Sequence, residues 1–276
     1  MSGDIFAGQP TPADALAELY DMEHDDVVED LAFYREMARR SPGTVLDLGC
    51  GSGRLLRALL DGGARRIIGV EGSGALLERA RTRIAGDGGL SSASEAGRIV
   101  LVPGDVRRLP TLGLRQHIGP SGSSLAICAG VLPHLSGPED AMQLLGGIRG
   151  LLGRDGLLVL DDLGPSLLPE RDMPLSVDWT RQHEGRTVVR RSQVTRREAP
   201  EGLRVTFSTI VDVGRPDGTI ARLPASHELW YPYTDALTAL VREAGLVIEH
   251  VYGSHDLDPL DAASERRIMV IRRAVA

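Results

Sequence analysis

Three alternating glycines near residue 50 constrain the fold more than any other feature of the chain. Residues 44–48 read Thr-Val-Leu-Asp-Leu, Gly49, Gly51 and Gly53 follow, and residues 55–60 are apolar apart from one arginine. An apolar run, a glycine turn and a second apolar segment predict a strand, a tight turn and a helix. Glycines let the backbone approach a ligand closely, and a helix N-terminus offers N–H groups to anions. The stretch therefore predicts a ligand site in an α/β sheet, and a turn without a ligand is the alternative.

The spacing of these glycines separates two classes of ligand. A dinucleotide-binding turn reads G-x-G-x-x-G or A, but Arg54 occupies its sixth position and the third glycine comes one place early. With Asp47 two positions before the first glycine, the pattern is D-x-G-x-G-x-G. It resembles motif I of the class I S-adenosylmethionine-dependent methyltransferases. The resemblance implies S-adenosylmethionine as cofactor, S-adenosylhomocysteine as product, and binding of the methionine end by Asp47, Gly49, Cys50, Gly51 and Gly53.

Composition restricts the partners and the compartment. The chain has 276 residues, 42% of them hydrophobic, which is enough for one large α/β domain or a domain with an insertion. A net charge of −7 argues against nucleic acid or an anionic membrane as the main partner. There is no apolar run of membrane-spanning length and no signal-peptide pattern at the N-terminus, so we expect a cytoplasmic protein.

The lysine and cysteine content of the chain argues against several kinds of catalytic and metal site. All 31 basic residues are arginine, which excludes Schiff-base lysine chemistry and a phosphate-loop lysine. The two cysteines, Cys50 and Cys128, have neither zinc spacing nor a disulfide framework, and we expect no metal site.

Acidic residues follow two further predicted strands. Glu71 ends the apolar run 66–70, about 20 residues after the glycine turn, where a carboxylate can accept hydrogen bonds from ribose hydroxyls. Asp105 follows the run 98–102 in a segment that resembles the family's "GD" motif, whose Asp accepts from the adenine amino group. A turn cap is the alternative for Asp105, and a surface carboxylate for Glu71. The resemblance extends the cofactor-binding set to Gly72, Leu76, Gly104, Val106 and Ala129.

The N-terminal segment is predicted to be a helical cap over residues 1–40, with a loose leader at 1–12. It contains the pair Tyr20-Asp21, and Tyr34 lies on the second helical piece. In small-molecule methyltransferases an N-terminal helix with a "YD" pair folds over the cofactor. The resemblance implies that Tyr20 is a catalytic residue and that Tyr34 contacts the cofactor. Half-buried aromatic packing is the alternative for both.

The remaining chain predicts a fold of two parts. Residues 41–174 and 234–276 predict a Rossmann-like α/β sheet with helices on both faces and an antiparallel last strand. Residues 175–233 contain three extended runs separated by turn-rich segments, which predicts an inserted antiparallel β-meander. We expect this insertion to form a lid or an oligomer surface, and a homodimer is possible.

The order of the motifs resembles bacterial methyltransferases of small amines and natural products. Aminosugar, glycine/sarcosine and cypemycin-type N-methyltransferases are the nearest kinds, and the C-terminal "YGSHDLDPLDAASERRIMVIRR" is most similar to the cypemycin type. A daptide-type enzyme acting on a ribosomally made peptide (RiPP) is within this range. The resemblance implies N-methylation of an amine of a small molecule or modified peptide. O- or C-methylation and an NAD(P)-binding oxidoreductase are the alternatives, as is a non-catalytic cofactor-binding subunit.

Candidate residues for the methyl acceptor come from two segments. His134 follows the strand 124–129, and the resemblance implies that it faces the acceptor nitrogen together with Tyr20; a helix-entry residue is the alternative. Glu228 is suited to pairing with a cationic amine and Trp230 to a cation–π contact, although simple in-and-out alternation in a sheet is slightly favoured. We expect ordinary roles for three other histidines: His183, His250 and His255.

Overall fold

The computed structural model describes residues 12–183, 185–215 and 217–274, and it contains two sheets. The predicted leader lies almost wholly outside these ranges. The α-helices are α1 (Pro12–His24), α2 (Leu31–Arg40), α3 (Leu56–Asp61), α4 (Gly74–Gly86), α5 (Gly88–Glu95), α6 (Arg115–Ile118), α7 (Pro138–Leu151) and α8 (Thr234–Glu243). The strands are β1 (Thr44–Leu48), β2 (Arg66–Glu71), β3 (Ile99–Pro103), β4 (Ser123–Ala129), β5 (Leu152–Leu163), β6 (Met173–His183), β7 (Arg186–Ala199), β8 (Gly202–Gly214), β9 (Ile220–Pro232), β10 (Leu246–Tyr252) and β11 (Arg266–Arg273).

The larger sheet has the strand order β10-β11-β5-β4-β1-β2-β3. Strands β1 to β5 pair in parallel, whereas β11 is antiparallel to both of its neighbours. Its central strands are continuous apolar runs because both faces are covered, and two buried clusters lie on the two sides of the sheet. The predicted Rossmann-like fold with an antiparallel last strand is confirmed. The parallel strands all end at one edge, which is where open α/β sheets bind ligands.

The second sheet has four antiparallel strands in the order β6-β7-β8-β9, so the prediction of three strands is wrong. The missed strand, β6, is exposed along nearly its whole length and lacks the alternation of buried and exposed residues on which the prediction depended. It pairs only with β7 and forms an edge of the sheet.

Of two helical segments, one follows its sequence periodicity and the other depends on a helix cap. Residues 13–40 form two helices, α1 and α2, as their periodicity predicts. The glycine- and serine-rich stretch after residue 86 forms α5, because the Asp87 side chain accepts from the N–H groups of Gly89 and Leu90 and caps the helix. Within the described ranges, none of the helices combines the length and apolar character needed to cross a membrane.

Candidate functional site

A large cavity opens at the carboxyl edge of the parallel strands. Its volume is about 2100 Å³, more than the 300–1,000 Å³ typical of a site for one small ligand. The walls come from α1, the ends of β1, β2, β4 and β5, the inner face of β8 and β9, and the loop between β10 and β11. The cavity therefore has room for a cofactor and an acceptor molecule side by side.

The glycine loop after β1 forms one wall of the cavity. Gly49, Gly51 and Gly53 have φ values of +74°, +55° and +80°, a conformation that residues with a side chain rarely adopt. Gly49 and Gly51 line the cavity. Cys50 is buried beneath the loop and Gly53 packs on α3 and α4, so these two shape the loop without lining the cavity. The turn predicted from sequence is present with the conformation that its glycines require.

Asp47 is buried behind this loop, with 2% of its surface exposed. Burial raises the pKa of its carboxyl group to about 7; the positive charge of Arg54 opposes the shift, and the negative charge of Glu71 adds to it. Its Oδ2 atom has no hydrogen-bond partner within the described ranges. Asp47 does not itself line the cavity, but unlike the other predicted residues outside the lining it places an unpartnered carboxylate oxygen behind the glycine loop, which is suited to the ammonium end of an amino-acid cofactor.

Glu71 lies at the end of β2, as predicted. Its Oε2 accepts from the Gly51 N–H at 3.0 Å, and its Oε1 accepts from the Ser73 N–H at 2.8 Å. These bonds orient the carboxylate at the cavity wall, next to Gly72 and Leu76, which also line it. The geometry fits the predicted acceptor for ribose hydroxyls.

Asp105 lines the cavity together with Gly104 and Val106. Its side chain caps the turn that follows, accepting from the Arg107 N–H at 2.9 Å, and forms an ion pair with the Arg107 guanidinium at 2.5 Å. The hydrogen bonds from Arg107 lower the pKa of Asp105. The Asp105 side chain therefore acts as a turn cap, which was the alternative role. If it also contacted adenine, its carboxylate would interact with both adenine and Arg107.

The two N-terminal tyrosines occupy different positions. Tyr20 lines the cavity, and its hydroxyl lies so close to Gly51 that a Cβ there would be 3.0 Å away. Burial raises the pKa of Tyr20 to about 12, so the hydroxyl stays protonated. Tyr34 does not line the cavity: it is fully buried and donates to Asp161 Oδ2 at 2.5 Å. The predicted contact of Tyr34 with the cofactor does not fit this structure, because its buried side chain does not reach the cavity wall.

His134 and Ala129 line the cavity near the end of β4. Burial lowers the pKa of His134, and the neighbouring His227 lowers it further. The two imidazole rings have centroids 6.4 Å apart. His134 is therefore a neutral ring at physiological pH, able to orient an acceptor but poorly suited to hold a proton.

The predicted acceptor residues on β9 are one position out of register. Glu228 is exposed and Trp230 is fully buried in the main core, and neither lines the cavity. Alternate residues of a strand face opposite sides, so it is His227, Leu229 and Tyr231 that face the cavity. The alternation that sequence analysis weighed against Glu228 and Trp230 is thus observed, and their assignment to the acceptor is corrected.

A cluster of side chains around Asp161 was not predicted from the sequence. This residue is buried near the end of β5 and accepts from His255 and Arg266, at 2.8 Å and 2.5 Å. All three residues line the cavity. The only sequence signal was Asp161-Asp162 after an apolar run, and the partners lie about 100 positions away. Within the described ranges, no group of three or more His, Cys, Asp and Glu residues is arranged to hold a metal ion.

Comparison with known proteins agrees with this geometry. Residues 45–156 match the family model described as "Methyltransferase domain". The structure is similar to the CcbJ methyltransferase from Streptomyces caelestis, with 23% identity, a TM-score of 0.73 and coverage of 97% of this chain and 100% of the other. No match was found among curated protein sequences.

Two other similar structures extend this comparison. The sugar N-methyltransferase KedS8 from Streptoalloteichus sp has 18% identity and a TM-score of 0.70, covering 94% of this chain and 92% of its own. The S-adenosylmethionine-bound CalS10, an amino pentose methyltransferase from Micromonospora echinaspora, has 21% identity and a TM-score of 0.61, covering 98% and 94%. At these identities the similarity establishes a shared fold.

The chain has the Rossmann-like fold of these methyltransferases, and its residues 45–156 match a methyltransferase domain.

Proposed function

We propose that the protein transfers a methyl group to the nitrogen of an amine, carried by a small molecule or by a modified peptide. The observation that supports this most is the charge of the cavity wall. Its four arginines each pair with a wall carboxylate, in the pairs Arg54–Asp30, Arg107–Asp105, Arg190–Glu23 and Arg266–Asp161. Six further wall carboxylates have no arginine at ion-pair distance in the described ranges: Glu29, Glu71, Asp256, Asp258, Asp261 and Glu265.

This excess of negative charge favours a cationic acceptor. Opposite charges attract across a cleft with low-dielectric walls, which raises the local concentration of an ammonium ligand. A neutral alcohol or carbon acceptor gains nothing from the same wall. The charge of the cavity thus favours N-methylation over O- or C-methylation.

The chain's own residues have separable tasks in this reaction. S-adenosylmethionine supplies an electrophilic methyl group, and transfer requires a nucleophile aligned at about 3 Å. The glycine loop, Asp47 and Glu71 would hold the cofactor. Tyr20 and His134, both on the cavity wall, would orient the acceptor nitrogen through a hydroxyl and a neutral imidazole.

We also propose that the four-stranded sheet acts as the lid of the acceptor pocket. Side chains of β8 and β9 form one wall of the cavity, including Phe207, Thr209 and His227. The alternative, an oligomer surface, is supported by the exposed apolar residues Leu175 and Val177 on the edge strand β6. Light scattering on wild type and on Val177→Lys tests the second role: a dimer that becomes a monomer supports an oligomer surface.

The test of the proposed function is transfer of labelled methyl groups from S-adenosylmethionine to matched pairs of acceptors. The amines are glycine, sarcosine, an aminohexose and a peptide with a free N-terminal amine, and the controls are glycolate, the parent hexose and the N-acetylated peptide. We expect methylation of at least one amine and of none of its matched controls. Methylation of a hydroxyl control in place of its amine would overturn the proposal. A thermal shift with NAD(P)H in place of S-adenosylhomocysteine would overturn the enzyme class.

A further inference from the structure

A carboxylate at the end of β5 is held by three side chains from distant parts of the chain. Asp161 Oδ2 accepts from the Tyr34 hydroxyl at 2.5 Å and is 2.8 Å from His255 Nε2. Its Oδ1 accepts from Arg266 Nε at 2.9 Å and from Nη2 at 2.5 Å. These donors come from α2, from the β10–β11 loop and from β11. The carboxylate is therefore the point at which three elements meet on the cavity wall.

Asp161 is ionised in this setting, although only 1% of its surface is exposed. Burial raises its pKa, but the His255 hydrogen bond and the positive charge of Arg266 outweigh burial and hold the pKa of Asp161 below its usual value. Burial and the adjacent carboxylate raise the pKa of Tyr34, so its hydroxyl remains a donor. An ionised carboxylate only accepts hydrogen bonds.

The charge on Asp161 decides which nitrogen of His255 carries the proton. The partner of a carboxylate must donate, so Nε2 is the N–H and Nδ1 of the neutral ring has the free lone pair. No hydrogen bond to Nδ1 is found in the described ranges. The ring packs against Phe33, with centroids 5.5 Å apart, and 17% of the side chain remains exposed on the cavity wall. The orientation of the His255 ring is thus fixed, and its Nδ1 atom is available to accept a proton.

Asp161, the partner of His255, lies next to the segment that contains His134. Asp161 pairs in register with Ala129 at the end of β4, and its backbone oxygen accepts from the Gly130 N–H at 2.8 Å. Gly130 begins the turn that leads to His134. The two histidines differ in electrostatic support: His134 faces another imidazole, whereas the ring of His255 is bonded to an anion that compensates the charge of an added proton.

We propose that His255 is the proton acceptor for the substrate amine and that Asp161 is its positioning residue. The inference depends on the proposed N-methylation. His255 Nδ1 takes one proton from the substrate ammonium, which leaves a neutral amine with a free lone pair. That lone pair forms the new N–CH3 bond as the S–CH3 bond breaks, and the electron pair of the broken bond stays on sulfur. The product is a methylated ammonium ion, and the proton on His255 leaves to solvent.

A purely structural role is the competing explanation. In that case the bond between His255 and Asp161 only anchors the β10–β11 loop to β5. The two explanations differ in pH dependence, because a base is needed only while the substrate amine is protonated. The charged and titratable groups around His255 are Asp161 on β5, Tyr34 on α2, Arg266 on β11 and Asp256 next to it in the loop.

The first experiment measures the tautomer without any acceptor. The protein is labelled with nitrogen-15 in its seven histidines, bound to S-adenosylhomocysteine, and the His255 signals are assigned by their loss in His255→Gln. We expect His255 to be the Nε2–H tautomer at neutral pH in wild type. In Asp161→Asn we expect His255 to lose its preference for this tautomer. An Nδ1–H tautomer in wild type would overturn the proposal, because no lone pair would then be available at Nδ1.

The second experiment measures methyl transfer to the panel amine that wild type methylates fastest. We expect His255→Gln to lower kcat by about a hundredfold near neutral pH, the usual scale for a lost general base. The defect should shrink as the pH rises above the pKa of the free amine. The matched control is His250→Gln on the exposed face of β10, which should behave as wild type. Thermal unfolding and S-adenosylhomocysteine affinity check that each variant is folded.

The outcomes separate this inference from the proposed function. A defect of His255→Gln that is the same at every pH, or no defect, would overturn the role as a base while leaving N-methylation intact. A wild-type protein that methylates none of the amines would overturn the proposed function and with it the base, and the tautomer measurement would still establish whether the Asp161–His255 pair exists.

Discussion

The two sides of the cavity are assembled in different ways. The proposed cofactor side is formed by the loop after β1, where Gly49, Gly51 and Arg54 line the cavity, and by Glu71 at the end of the next strand. The acceptor side combines α1, alternate residues of β8 and β9, and the β10–β11 loop. A contiguous site can be identified from local spacing, whereas an assembled site depends on strand register and on contacts between distant residues. Local spacing is therefore enough to propose the residues of the cofactor side, whereas the residues of the acceptor side also require the strand register.

The largest expected effect is a loss of stability that tests the register of β9 on the acceptor side. Trp230→Ala should lower the free energy of unfolding by about 3–5 kcal/mol, because it empties a buried site in the core. Glu228→Ala, two positions earlier on the exposed part of the strand, should change it by less than about 0.5 kcal/mol. Chemical denaturation of both variants measures the difference.

His227, on the face of β9 that lines the cavity, tests the same strand register. His227→Ala should raise the KM of the acceptor with little change in stability, because His227 lines the cavity. A KM effect from Glu228→Ala together with a neutral His227→Ala would mean that β9 has the opposite register.

Individual residues illustrate what sequence could and could not reveal. The positions of Asp47 and Glu71 follow from strand ends and loop spacing, which are local properties. The role of Trp230 required knowing which face of β9 is inward, and a one-residue error moves every side chain to the other face. The partners Tyr34 and His255 of Asp161 are separated from it by 127 and 94 residues, and no periodicity links them.

The ionisation of Asp47 gives the next largest effect. Its folded pKa of about 7 lies above the unfolded value, so the folded state binds more protons between about pH 4 and 7. The free energy of unfolding of the ligand-free protein should therefore fall as the pH rises through this window, by on the order of 2–4 kcal/mol. Asp47→Asn should flatten this dependence in denaturation curves measured at several pH values.

Asp162 is the matched control for Asp47, because burial also raises its pKa to about 7. Asp162→Asn should flatten the pH dependence similarly but leave S-adenosylhomocysteine affinity unchanged, since only Asp47 lies behind the glycine loop. Calorimetry in buffers of different ionisation enthalpy should detect proton release on ligand binding in wild type, and Asp47→Asn should abolish it. Equal affinity losses in both variants would place the ligand's ammonium elsewhere.

Close packing of the glycine loop is tested by two glycines with similar backbone conformation. A Cβ on Gly49 would lie 2.6 Å from Val131 Cγ2, whereas a Cβ on Gly63 would meet nothing within 4 Å. Both have positive φ, so alanine at either should cost about 1–2 kcal/mol of stability. Only Gly49→Ala should also weaken S-adenosylhomocysteine binding in calorimetry, by more than about tenfold (about 1.4 kcal/mol). Similar binding to both variants would show that the loop tolerates displacement.

The smallest effect comes from Tyr34, which sequence assigned to the cofactor side and the structure assigns to the support of the acceptor side. Tyr34→Phe removes one of the donors to Asp161 but keeps the buried ring, so the free energy of unfolding should fall by about 1–2 kcal/mol. S-adenosylhomocysteine affinity should not change, because Tyr34 does not line the cavity. Tyr20→Phe is the comparison, since Tyr20 contacts the glycine loop and should affect turnover or binding without a similar loss of stability. A drop in affinity for Tyr34→Phe that exceeds the drop for Tyr20→Phe would reverse the assignment and return Tyr34 to the cofactor side.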